Sequence, residues 1–479
     1  MQDTTRPILP ILGAGPAGLA AAYALTHGHG KYDAVIKLID AAPQAGGNST
    51  SFQIDGLWCD YGSHRFHPVA EPEVLNMVKE LLGDDLLLRP RHGRIRLGGR
   101  WIHFPLKLGD ALLHLPASFA ASLIADMLLK PFRPKSQGAA TFSSVLNEGL
   151  GPTISRNFYF PYVRKLWGLD PDKLAVTLAE RRVSGSSIGK ILAKMLRMLP
   201  GLKGETTGKF YYPAQGFGQI STAMAEAAQS KGAELKLGHM VRRILRQDDR
   251  VTGVELTGPD GDVTLSAPMT LSTIPVTTLV QLMDPPAPDK VLDAAHAIRF
   301  RGMVLIYLVL ETDQFTEFDA HYFPEAAIPM SRMSEPRNYN QATDPKGITV
   351  LCAELPCDPS DPWWDMSDAD LGQAMCGWLN DMGLSVTVPV RSTLTRRLRH
   401  AYPVYDIDYQ RHFEVLDNWI SGLEGILNFG RQGLFAHDNT HHAYAMAYGA
   451  VESLGPDGVL DKAAWTAKRE IFAHHVVED

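Results

Sequence analysis

Gly13, Gly15 and Gly18, within ILGAGPAGLAAAYAL (11–25), have the spacing of a strand-to-helix turn that holds a pyrophosphate. Gly13 permits the turn, Gly15 lets a phosphate reach the backbone, and Gly18 lets helix and strand pack closely. Pro16 and Ala17 open the helix, whose positive N-terminal end faces the phosphates. A dinucleotide site of this kind needs an acidic residue about 20 positions further on, to take a ribose hydroxyl. Asp40 supplies it, at the close of the apolar run AVIKLID. Pro7 and Pro10 cannot donate to a strand ladder, so the first strand is expected to be short and to begin near Ile11.

Directly after Asp40 the chain reads AAPQAGGNSTSFQIDGLWCDYGSHRFHP, in which Gly46, Gly47 and Asn48 make a second turn. Here the sequence resembles the flavin amine oxidase and protoporphyrinogen oxidase superfamily, whose members put such a turn after the acidic residue. UDP-galactopyranose mutases share the arrangement. The resemblance implies that this turn runs along FAD. Apart from Cys59 the cofactor segments hold no cysteine, so the flavin is expected to be non-covalent.

The stretch NFGRQGLFAHDNTHHAYAMAYGAVESLG carries a second end of the site. A strand turns at Gly430 and Arg431, and Asn439 or Thr440 then caps an Ala-rich helix. Small residues such as Ala443 let that helix approach a ligand, with His442 beside it, and its dipole favours negative charge on a reduced ring. The superfamily resemblance implies that this helix points at the flavin pyrimidine. It also implies that the backbone near Val241 meets the adenine.

These elements predict an α/β fold: a Rossmann-like FAD-binding domain of the amine-oxidase type with an interleaved α+β substrate domain. Residues 235–274 alternate short β-branched runs with the turns QDDR and GPDG, which suits an antiparallel meander. The run ending in LSTIP is expected to return to the parallel sheet. The cofactor domain is then 1–65, 208–284 and 419–479, and the substrate domain is 66–207, with a helical insertion, plus 285–418.

At 479 residues, with 45% hydrophobic content, the chain is long enough for two intertwined domains. Its 46 basic and 53 acidic residues give a net charge of −7, which argues against a general nucleic-acid binder. The four cysteines lack CxxC spacing and read as reduced thiols of a cytoplasmic protein without a signal peptide. LGDALLHLPASFAASLIADMLLKPF, from residue 108, carries Asp110, His114, Pro116 and Asp126, and is expected to form a buried or interdomain helix pair. The basic amphipathic stretch 188–204 faces a core, or else makes a peripheral membrane contact.

The substrate side resembles the mutase branch in three blocks: GSHRFHP (62–68), FYFPYVRKLWGLDPDKLAVTLAERRV (158–183) and FYYPAQGFGQI (210–220). It departs from that branch at Arg65 and Pro68. His64, Arg65, His67, Arg301 and Arg431 are the candidate catalytic residues. Trp167, Tyr212, Arg332, Arg399, Tyr402 and Tyr405 are the candidate substrate residues. Guanidinium groups match phosphate and carboxylate, so the small-molecule substrate is expected to be anionic or nucleotide-linked. No cluster has metal-ligand spacing. Two chemistries remain open: hydride transfer from substrate to flavin N5, or a redox-neutral mutase reaction through a reduced-flavin N5 adduct, as the second resemblance implies.

Overall fold

The computed structural model describes residues 6–104, 110, 114–132, 139–182, 208–340 and 345–477. The helix expected at 188–204 lies outside the described residues, as does part of the segment from residue 108.

Five short strands form one parallel sheet, in the order Ile426–Asn428, Thr270–Ser272, Ile8–Leu12, Val35–Asp40 and Glu234–Leu237. The first strand begins at Ile8, earlier than its prolines led us to expect. It pairs with Val35–Asp40 from Ile8 onward, but with Thr270–Ser272 only from Ile11. Pro10 thus sits where one flank of the strand is not yet laddered, a place that tolerates a missing donor. The return of LSTIP to the sheet is found as expected.

The helix Pro16–Thr26 is buried nearly all round, with Ala20, Ala21, Ala22 and Ala24 inaccessible to solvent. Its small side chains make a narrow cylinder, so the helices Gln219–Ser230 and Thr440–Glu452 can both pack against it. The meander is also present, as strands Met240–Gln247, Arg250–Gly258 and Gly261–Ser266, joined by the short strand Met283–Asp284.

A second, seven-stranded sheet is built from Val390–Pro403, Phe300–Leu310, Thr349–Cys357, Arg332–Ser334, Ala320–Tyr322, Gly93–Leu97 and Arg100–Phe104, in that order. Phe300–Leu310, second in that order, is paired along both edges, and MVLIYLVL is apolar throughout because both faces are covered. Val304, Ile306 and Leu308 enter one core cluster, while Met303, Leu305, Tyr307 and Val309 enter the other. That is the two-residue period of a strand. Truncating Ile306 to Ala at such a site costs about 2–5 kcal/mol.

The helix Ala117–Leu129 corrects an expectation. Its acidic residue, Asp126, is buried and accepts Thr153 N at 2.7 Å, while Leu128 and, just beyond the helix, Phe132 are 70% and 82% exposed. The carboxylate docks the helix by capping the next turn, so the apolar side faces outward. No described helix is long and apolar enough to cross a membrane.

Candidate active site

A cavity of about 570 Å³ opens where the parallel strands end and extends to the seven-stranded sheet. Gly13 and Asp40 line it, and so do Thr273 and Arg431, just past the strands Thr270–Ser272 and Ile426–Asn428. Ligands of open α/β sheets bind at such carboxyl edges.

The geometry at the glycine turns fits a dinucleotide. Gly13 takes φ +100°, and a Cβ added at Gly15 would meet nothing nearer than Gly47 Cα at 4.0 Å, leaving that face of the turn open. Gly46 and Gly47 have φ +118° and +53°, values that favour glycine. Asp40 accepts Ala14 N at 2.7 Å and Ala42 N at 2.8 Å, one on each oxygen. The carboxylate therefore pins both sides of the turn, and each oxygen keeps acceptor capacity for a ribose. At the far end Asn439 caps the helix Thr440–Glu452 through a capping box with His442, and Asn439, Thr440 and Ala443 line the cavity. Two helix N-termini thus address one cavity, an arrangement suited to an anionic ligand. His64 Nδ1, Arg431 Nε, Gln432 Oε1 and His437 Nδ1, in residues that line it, are buried without a hydrogen-bond partner among the described residues. Such atoms fit a group rich in donors and acceptors, as an isoalloxazine edge is.

The inner end is cationic. Among the described residues seven arginines line the cavity, Arg65, Arg91, Arg182, Arg332, Arg397, Arg399 and Arg431, against three carboxylates, Asp40, Glu354 and Asp438. Arg65 reaches the Tyr322 hydroxyl at 3.0 Å and Asp319 at 3.4 Å, and Arg332 pairs with Glu354 at 2.6 Å. Arg431 instead donates Nη2 to Ala401 O at 2.8 Å and packs over Tyr402; burial lowers its pKa. Arg397 bonds carbonyls of Trp364 and Met366. Arg399 lies over Trp364. His64 stacks on Phe217, with ring centroids 5.2 Å apart, and burial pushes its pKa down to about 4 despite nearby Glu354. It is a neutral imidazole at pH 7. His67 also lines the cavity, its Nδ1 accepting Val69 N.

Of the residues proposed from sequence, the cavity brings together Gly13, Gly15, Pro16, Ala17, Asp40, Gly47, Asn48, His64, Arg65, His67, Arg332, Arg399, Tyr402, Arg431 and Ala443. Gly18, Gly46, Gly430 and His442 stand one layer behind it. Gly430, with φ +79°, lies against Ala17, and His442 completes the cap. Val241 does not line it.

Four others are engaged elsewhere and correct the expectation. Arg301 is held by Asp358, Asp361 and Pro356 O, at the start of the strand Phe300–Leu310, and does not line the cavity. Trp167 donates Nε1 to Pro403 O at 3.2 Å inside the core. The Tyr212 hydroxyl bonds Asp60 at 2.8 Å, and that of Tyr405 bonds Phe435 O at 2.8 Å. Each is a large polar-tipped side chain whose tip found a protein partner, which burial requires. Lys165, in the KLWG block, is also structural: its ammonium gathers the carbonyls of Phe323, Glu325 and Met330, and burial lowers its pKa to about 7.

Glu354, Arg182, His437 and Asp438 line the cavity but were not singled out from sequence. A signal existed for Glu354, the lone charge in the buried strand TVLCAELPC. Asp438, His442 and His475 also bring ligand atoms within 4.8 Å of one another, a cluster that spacing along the chain did not reveal. Arg181 already pairs with Asp438 at 3.4 Å, and Asn439 N donates to His442 Nδ1 at 3.3 Å. The carboxylate and one imidazole are thus engaged within the protein.

Fold and cavity together define a flavoprotein of the Rossmann-like, two-domain kind. The chain belongs to the family of flavin-containing amine oxidoreductases, whose model matches residues 16–453. It is 26% identical over 299 residues to protoporphyrinogen oxidase 1, chloroplastic, of Spinacia oleracea, covering 57% of this chain and 51% of that one. The chloroplastic protoporphyrinogen oxidase of Oryza sativa subsp. japonica is likewise 26% identical, over 306 residues, covering 58% and 54% of the two chains. The chain thus spans about half the length of the curated relatives it matches. Among solved structures, reduced UDP-galactopyranose mutase superposes with a TM-score of 0.77 at 19% identity, covering 98% of both chains. Cyclohexylamine oxidase from Brevibacterium oxydans gives 0.61 at 15% identity, covering 97% and 99%.

Proposed function

We propose that this chain is an FAD-dependent oxidoreductase that takes hydride from a small anionic substrate. The observation that carries the reading is one cavity that joins the glycine-turn cradle to His64, Arg332 and Arg431. Bound FAD supplies the electron-pair acceptor. Residues 1–65, 208–284 and 419–479 hold it, without a thioether link, since none of the four cysteines lines the cavity. Residues 66–207 and 285–418 cover the substrate.

In this reading Arg399, which has no carboxylate partner among the described residues, binds the anionic group of the substrate, while Arg397 is held beside it by the carbonyls of Trp364 and Met366. Arg431, also without a carboxylate, favours negative charge that develops beside it. His64, neutral at pH 7, offers a hydrogen bond to the reacting region and adds no further charge.

A second reading has one specific observation in its favour. The same guanidinium groups suit the diphosphate of a nucleotide sugar, the substrate class of a redox-neutral mutase. The two are separated by incubating the FAD-loaded protein anaerobically with nucleotide sugars, amines and porphyrinogen-like compounds, once oxidised and once reduced by dithionite. The first reading expects a substrate that bleaches the oxidised flavin and needs an acceptor for a second cycle. Turnover confined to the reduced form, with product of unchanged mass, would replace it with the second.

A further inference from the structure

The cavity holds one acidic group whose placement the anion-binding arginines do not explain. Glu354 is 4% exposed, sits in the buried strand Thr349–Cys357, and lines the cavity beside His64. All the described hydrogen bonds of its carboxylate converge on a single oxygen. Oε1 accepts Ser63 N at 2.9 Å, Arg332 Nε at 3.0 Å and Arg332 Nη2 at 2.6 Å. Oε2 accepts none from any described residue, and it is not among the buried polar atoms left without a partner, so it is open to the cavity. The carboxylate cannot swing freely, because Arg332 lies directly opposite on the neighbouring strand and the Ser63 amide fixes it from the side.

An acceptor held rigidly in an otherwise cationic cavity selects for a donor. We propose that Glu354 Oε2 receives a hydrogen bond from an O–H or N–H of the substrate, so that the site takes anions bearing a hydroxyl or amine and rejects those without one. This rests on the anionic reading given above. It adds a specificity-determining residue and a required substrate feature. An anion lacking the donor leaves Oε2 desolvated and unpaired, and such a site discriminates more strongly than an apolar pocket does.

The test uses three small carboxylates of similar size, acetate, glycolate and the zwitterion glycine, titrated into FAD-loaded protein and read from the flavin difference spectrum. The expected result is that glycolate or glycine half-saturates at about one-tenth the concentration acetate needs, a factor that corresponds to about 1.4 kcal/mol. Preference for glycolate identifies a hydroxyl donor, and preference for glycine an amine. Glu354→Gln keeps an oxygen for Arg332 and Ser63 N but turns a donor toward the cavity. It is expected to retain flavin, to bind acetate at least as well, and to lose the preference. Should it fail to retain flavin, Glu354→Asp keeps the charge but withdraws the acceptor by one methylene, and is expected to lose the preference too. Equal binding of the three carboxylates by the unaltered protein, or a preference that survives substitution, overturns the role of Glu354 and leaves the anionic reading standing. Binding of none of them overturns both.

Discussion

A Cβ built on Gly18 falls 1.9 Å from the carbonyl oxygen of Gly13, so the first helix rests directly on the turn that precedes it. Gly15, three residues earlier, has no such neighbour. The two glycines therefore differ in kind, one serving the fold and the other the ligand. Gly18→Ala is expected to destabilise the protein by about 3 kcal/mol, measured by chemical denaturation. Gly15→Val is expected to leave the stability of the flavin-free protein unchanged while the purified protein comes out colourless. Full flavin occupancy in Gly15→Val would mean that the phosphate lies elsewhere.

Asp40 combines both roles, because its oxygens already accept Ala14 N and Ala42 N. On the proposed placement of FAD, Asp40→Ala removes a ribose contact, and it leaves those amides without their acceptor. FAD affinity is expected to fall by on the order of 1–3 kcal/mol, and the melting temperature of the flavin-free protein should fall as well. Weakened binding with no change in melting temperature would show that the carboxylate serves the ribose alone.

Arg431 and Arg301 make a contrasting pair. Arg431 lines the cavity without a carboxylate partner among the described residues, whereas Arg301 is enclosed by Asp358 and Asp361. Arg431→Ala, and equally His64→Ala, is expected to lower kcat/KM about 100-fold or more, roughly 2.7 kcal/mol, with FAD retained. Arg301→Ala should instead cost about 3–5 kcal/mol of stability through its uncompensated acidic partners. Its folded fraction should turn over normally. The opposite pattern would exchange the two assignments.

Acid should unfold this protein through its buried histidines. Burial pushes His64 and His441 down to about 4 and His442 to about 3, all below the 6.5 of an unfolded chain. Between those values the unfolded state binds more protons, so stability rises with pH. The stabilisation is fully present above about pH 6.5 and is lost as pH falls toward 4. Denaturation curves taken across this range should give a falling unfolding free energy, and His441→Gln should flatten the slope. A flat profile in the unaltered protein would contradict the burial of these imidazoles as neutral groups.

The cofactor half of the molecule was legible from residues 11–48 and 428–443 because a phosphate-binding turn is a local structure. Its requirements for φ, for close approach and for a helix terminus are met by neighbours in the chain, and Gly13, Gly15, Asp40, Gly47 and Ala443 all line the one cavity. The alternating turns of 235–274 were legible for the same reason.

The substrate half depends on contacts that no short stretch contains. Glu354 meets Ser63 across 291 positions, Arg182 meets His437 across 255, and Asp438 is reached by Arg181 across 257 and by His475 across 37. Whether an arginine faces a cavity or an internal carboxylate is set by strand register. Arg332 opposite Glu354 and Arg301 beside Asp358 are the same residue type with different surroundings. The sequence alone determined that the chain builds a dinucleotide cradle and carries arginines that suit an anion. Only the tertiary structure decided which of them reach it, because a buried charge takes the partner that packing places nearest.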